Sequence, residues 1–109
     1  MPGKFELKKT PKGKFMFNLK AGNGQVVLTS EQYEQKRSAL DGIRSVQKNG
    51  SDDARFDRKV AKNGKPFFTL AAKNGETIGK SQMYASTATM NKGIASVKTN
   101  CDCDIDDQT

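Results

Sequence analysis

The sequence predicts an α+β domain of two tandem β-β-β-α repeats. Together they form one pseudo-two-fold symmetric domain, with antiparallel sheet and helices packed on one face. Three observations lead there. Shifted by 51 residues, the chain falls onto itself without a gap, and 16 of 45 positions from Phe5 to Asn49 are identical. Within each copy, polar and apolar residues alternate between Asn-Gly or Lys-Gly turns, the pattern of half-buried antiparallel strands. After a serine in each copy the apolar spacing changes to that of a helix.

The first strand is read over Lys4-Phe5-Glu6-Leu7-Lys8, ending at a turn marked by Lys12-Gly13. Its counterpart, Asn63-Gly64, is a stronger hairpin signal because both residues tolerate positive φ. A second strand places Phe15, Phe17, Leu19 and Ala21 on one face, Asn23-Gly24 turns the chain, and Gln25–Thr29 forms a third strand. The second copy repeats this as Arg55–Lys59, Lys65–Ala72, the turn Asn74-Gly75, and Glu76–Lys80. Ser30 and Ser81 then stand where a helix should begin, since a serine hydroxyl accepts an orphan first-turn N–H. Tyr33, Leu40, Ile43 and Val46 line one helical face, and Tyr84, Ala88, Ile94 and Val97 line the other. Gly42 and Gly93 interrupt both helices. A mid-helix glycine costs about 1 kcal/mol against alanine, so its recurrence implies a kink or close packing on the sheet. Two shorter helices per repeat, broken near Ser38 and Thr89, are an alternative.

A repeat of fewer than about 50 residues buries too little apolar surface to stand alone. Two repeats make a common single-domain size. Residues 1–100 are therefore read as one domain, repeat 1 spanning 4–50 and repeat 2 spanning 55–100. Residues 101–109 form an acidic, disordered tail. Arg58 stands where Leu7 stood in the first copy, which places it near an edge or interface. Edge-to-edge joining of the two sheets and packing through their faces are both open.

The unit Asn-Gly-x-x-(Val/Ile)-x-x-Ser-x-x-Tyr, followed by Gly-Ile-x-Ser-Val, resembles the repeat of the YegP-like family of small bacterial proteins. Asn23, Gly24, Ser30, Tyr33, Gly42 and Ile43 match it, as do Asn74, Gly75, Ser81, Tyr84, Gly93 and Ile94. The resemblance covers nearly residues 4–100 and implies the α+β fold of two such units. It brings no activity and does not extend to the Cys-Asp-Cys-Asp tail.

The chain has no histidine, which removes the commonest general base, the commonest metal ligand and the usual catalytic triads. Both cysteines, Cys101 and Cys103, stand among aspartates, whose charge disfavours a thiolate. No phosphate-binding loop, dinucleotide fingerprint or acidic metal loop of recognised spacing occurs. Two thiolates with Asp102, Asp104, Asp106 and Asp107 could hold a soft divalent ion. Every such ligand lies in one tail, however, and a solvated acidic segment is the stronger reading. No catalytic residue, metal site or cofactor is therefore assigned, and the expected role is a non-enzymatic binding or interaction module.

The charge suggests one alternative. The tail holds four of the 12 acids and no base, leaving residues 1–100 with all 19 bases against 8 acids. Lys4, Lys8, Lys14 and Lys20 would lie on the sheet face away from the helices, where they could neutralise phosphates with little sequence discrimination. Bases need exposed aromatics for stacking, and only Phe67, matching Met16, faces that way. The sequence does not specify the partner: nucleic acid and protein are both open, and a membrane is not expected, because no apolar run approaches the ~18 residues a span needs. The sparse cysteines and the lack of an apolar leader point to the cytoplasm.

Overall fold

In the computed structural model, residues 3–101 and 103–109 are described. The elements are β1 (Lys4–Lys9), β2 (Phe15–Lys20), β3 (Val26–Ser30), α1 (Lys36–Asn49), β4 (Phe56–Val60), β5 (Pro66–Ala71), β6 (Thr77–Lys80), α2 (Thr87–Asn100) and β7 (Asp104–Asp107). A 3-10 turn, Asp53–Arg55, leads into β4. The strands form one sheet in the order β4-β5-β6-β3-β2-β1-β7. The repeats therefore join edge to edge, through the antiparallel pairs Thr29↔Lys80 and Ser30↔Gly79. The radius of gyration, 13.1 Å, matches the value of about 13 Å for a compact chain of this length.

Alternation decides which face is covered. Phe5, Leu7, Phe17 and Leu19 from repeat 1, with Phe68 and Leu70 from repeat 2, are fully buried. The helices lie over this face and add Ala39, Ile43 and Val46 from α1, and Met90, Ile94 and Val97 from α2. Each large apolar side chain so buried is worth about 1.5–3 kcal/mol in transfer free energy. Arg58 stays exposed on edge strand β4, where its guanidinium meets Asp53 at 3.2 Å and Asn91 at 3.3 Å.

The turns differ from expectation in one respect. Only the glycines have positive φ, +85° at Gly24 and +88° at Gly75, while the preceding asparagines keep negative φ. Gly24 N–H donates to Ala21 O, and Ala21 N–H donates to Gln25 O. This is a turn closed by a left-handed residue, not a two-residue hairpin loop.

The helices start later than Ser30 and Ser81. Both serines are buried and complete the sheet instead. Phe17 N–H donates to Ser30 Oγ at 2.9 Å, and that hydroxyl donates to Glu31 O at 2.7 Å. Phe68, Ser81 and Gln82 repeat the motif at 3.0 and 2.7 Å. The chain stays extended as far as Tyr33, which exchanges two backbone hydrogen bonds with Phe15. At the matching position Pro66 has no N–H, and Tyr84 N–H to Pro66 O is the one such bond. The first helix follows Gln35; the second follows Ser86, which forms a capping box with Thr89. Each helix is continuous, so neither glycine breaks it. The later start also changes the helical face: Ala39 and Met90 are buried, Leu40 is half-buried and Ala88 is exposed.

The segment read as a disordered tail contains a strand. β7 runs parallel to β1, with Lys4↔Asp104, Phe5↔Ile105, Glu6↔Asp106 and Leu7↔Asp107 in register. Lysines secure it: Lys4 reaches Asp106 at 3.4 Å, and Lys36 at the start of α1 reaches Asp107 at 2.6 Å. Hydrogen bonds from Lys36 and then Thr109 hold the Asp107 carboxyl down to about 2, against an ordinary 3.8. Gln108 and Lys4 likewise lower Asp106. A carboxyl depressed in the fold stabilises it above the unfolded value, and that support is lost as pH falls through the folded one. In 1H–15N spectra recorded from pH 5 to 2, β7 amide signals are therefore expected to lose their folded positions mainly below pH 4. Lys36→Met should move that loss to higher pH. Signals that stay in place to pH 2 in both proteins would rule this linkage out.

Candidate functional site

The extended stretch before each helix forms the floor of a groove. Tyr33 stacks on Phe17 with ring centroids 6.5 Å apart and planes 5° apart, and its hydroxyl lies against Gly42. A Cβ on Gly42 would stand 2.6 Å from Tyr33 Oη and 3.0 Å from Phe17 Cε2. In the second repeat Tyr84 stacks on Phe68 at 6.2 Å and 11°, with its hydroxyl against Gly93. The mid-helix glycines thus serve close packing rather than a kink.

The opposite lip comes from the other repeat. The groove over Tyr33 is completed by Asn74, Glu76 and Ile78; that over Tyr84 by Asn23, Gln25 and Val27. Neither groove is complete in one repeat. Their volumes are ≈ 240 Å³ over Tyr33 and ≈ 530 Å³ over Tyr84.

The two grooves match position by position but differ in charge. Glu31, Asp41 and Glu76 line the first, and their equivalents in the second are Gln82, Lys92 and Gln25. Asp41 also pairs with Arg44 at 3.0 Å. Burial raises the pKa of both tyrosines; at Tyr33 the charges of Glu31 and Glu76 raise it further. The field in the first groove is therefore negative, whereas lysine is the charged residue lining the second.

The four lysines suggested as phosphate contacts meet carboxylates instead. Lys4 reaches Asp106, Lys14 reaches Glu34 at 3.1 Å, and Lys8 and Lys20 reach Glu6 at 3.6 and 3.1 Å. Glu6 is only 4% exposed although it lies on the face away from the helices. Lys20 and Gln108 both reach its Oε2, at 3.1 and 3.2 Å. Burial pushes its pKa up, but hydrogen bonds from Lys20 and Gln108 and the charge of Lys8 outweigh this and hold it low. A phosphate backbone would have to displace carboxylates from all four lysines.

The asparagines of the turns cap their own loops, Gln25 N–H donating to Asn23 Oδ1 and Glu76 N–H to Asn74 Oδ1, each at 3.0 Å. Ile43 and Ile94 are core. Cys101 is buried, its Sγ donating to Lys98 O at 3.5 Å, and Cys103 O accepts from Gln47. Asp102, part of the suggested metal cluster, lies outside the described residues. Among the described residues no three His, Cys, Asp or Glu side chains come together to hold a metal, and no helix is long and apolar enough to cross a membrane.

The profile of the family described as a domain of unknown function (DUF1508) matches twice, over residues 11–57 and 61–107. The chain belongs to the DUF1508 family. Its repeat ends on the strand after the helix, which is β4 in the first match and β7 in the second. The Cys-Asp-Cys-Asp segment is thus inside the DUF1508 repeat, not outside it as the sequence reading had it. A UPF0339 protein of Acinetobacter baylyi is 56% identical over 100 residues, 92% of this chain and 90% of its own length. One from Pseudomonas aeruginosa is 53% identical over 98 residues, 90% of this chain and 89% of its own. Two solution NMR structures share the fold. The UPF0339 protein of Shewanella oneidensis has a TM-score of 0.92 at 51% identity, over 98% of this chain and 92% of its own. The protein of unknown function yegP from E. coli has a TM-score of 0.94 at 48% identity, over 100% and 95%. Their names attach no specific activity to the DUF1508 fold.

Proposed function

We propose that the protein is a non-enzymatic binding module of the cytoplasm, and that its ligands enter the two tyrosine-floored grooves between the repeats. One observation carries this reading. The repeats keep the floor of each groove, Tyr against Gly, yet differ at the three charged positions around it. Structural duplication explains the shared floor but gives no reason for opposite signs at the rims, whereas two binding specificities do. The absence of histidine from the sequence supports a binding role over acid–base catalysis.

The test is a set of small fragments, anionic, cationic and neutral, titrated into the 15N-labelled chain. Saturable shifts should cluster at Glu31–Tyr33 or Gln82–Tyr84 and at Asp41–Gly42 or Lys92–Gly93. Saturable shifts confined to other surfaces, or none from any fragment, would overturn the assignment.

A further inference from the structure

We propose that the segment Gln82–Tyr84 of the second repeat is a site for an amphipathic monoanion, an aliphatic or aromatic carboxylate with its apolar body along Met83. This deepens the groove reading and rests on it. Two hollows, ≈ 530 and ≈ 260 Å³, share Gln82 and Met83. Each has an apolar part and one lysine: Tyr84, Val27 and Lys92 in the first, Phe67 and Lys80 in the second. Met83 lines both and is 55% exposed. A methionine there supplies an adaptable apolar contact, its Sδ accepting from Asn63 Nδ2 at 3.6 Å.

Charge selects the ligand. No carboxylate is among the described residues lining either hollow. The first turn of α2, contributing Thr89, adds the positive end of a 14-residue helix. The two lysines lie in separate hollows with amides and hydroxyls, which suits a single negative group better than a multiply charged phosphate. The larger hollow falls within the range of small-molecule sites, roughly 300–1,000 Å³. The first repeat provides the contrast. Met83, Lys80 and Lys92 correspond there to Gln32, Thr29 and Asp41, and Gln82 corresponds to Glu31. The apolar contact and the cations occur on one side of the pseudo-symmetric pair.

Three probes of matched size decide the matter: sodium hexanoate, hexylamine and hexanol, each titrated into the full 15N-labelled chain. Hexanoate should give saturable shifts at Gln82–Tyr84 and Lys92, with dissociation constants on the order of 1–10 mM for so small a ligand. Hexylamine should not. The triple variant Gln25→Glu, Gln82→Glu, Lys92→Asp installs residues that the fold already carries at the equivalent positions. It should keep a native spectrum and bind hexanoate at least tenfold more weakly. Met83→Gln alone should weaken hexanoate and leave the spectrum native. If hexanol or hexylamine moves these amides while hexanoate does not, the anion class is wrong and the groove reading survives. If shifts are confined to Glu31–Tyr33 and Asp41–Gly42, this proposal falls and the groove reading survives; if none of the three moves the amides of either groove, both fall. Hexanoate binding that is unchanged in the triple variant overturns the proposal.

Discussion

Phe68→Ala is expected to remove about 3–5 kcal/mol of unfolding free energy. Phe68 is fully buried in the second repeat. Its ring meets Phe56 edge-on at 5.6 Å, stacks under Tyr84 at 6.2 Å, and backs the Gly93 side of α2. Truncation leaves a cavity joining three elements, and the main chain on β5 and β6 is too constrained by pairing to fill it. A domain of this size has about 5–15 kcal/mol in all, so the loss is a large fraction of its stability. Urea unfolding at neutral pH measures the loss. Val60→Ala is the control, because Val60 is 71% exposed on edge strand β4 and should cost less than about 0.5 kcal/mol. A Phe68→Ala loss below about 1 kcal/mol would show that the core is not packed around this ring.

For Gly42→Ala the sign is the test. Helix propensity alone predicts a gain of about 1 kcal/mol. The structure predicts a net loss of about 1–3 kcal/mol, because the added methyl would meet Tyr33 Oη at 2.6 Å and Phe17 Cε2 at 3.0 Å. Phe17 is fully buried, so it has little room to yield. Tyr33→Phe removes the closer atom. In the Gly42→Ala background it should recover part of the loss, with a coupling of about 0.5–3 kcal/mol in the double-mutant cycle. A Gly42→Ala protein as stable as the parent would show that the tyrosine ring swings away freely and that the groove floor is not fixed.

What the sequence disclosed follows from how local each cause is. Strand alternation and the Gly24 and Gly75 turns depend on neighbours a few residues apart, and these features were legible. The role of Ser30 was not, because the N–H that it satisfies belongs to Phe17 on another strand. Read locally, a serine before an apolar helix is a cap. β7 was also hidden. Asp-Ile-Asp-Asp has poor strand propensity and pairs only because β1, Lys4 and Lys36 stand ready for it. The grooves were out of reach of single-repeat reasoning, since each lip comes from the opposite repeat. A signal for them was nonetheless present: aligning the copies sets Glu31 against Gln82 and Asp41 against Lys92 beside two shared tyrosines and glycines.

The two halves leave their helices by the same turn, Asp52 N–H donating to Asn49 O and Cys103 N–H to Asn100 O, each at 3.1 Å. Each exit then leads into an edge strand: β4, antiparallel to β5 of its own repeat, and β7, parallel to β1 of the first repeat. Gly3, just before β1, donates to Asn100 Oδ1 at the end of α2, so the path returns to where it began. The end of the second repeat thus closes the edge of the first, which loses a strand if the second opens, and β3 and β6 join the two in mid-sheet. Heat or denaturant should therefore find no half-melted species, and the molecule should unfold in a single step.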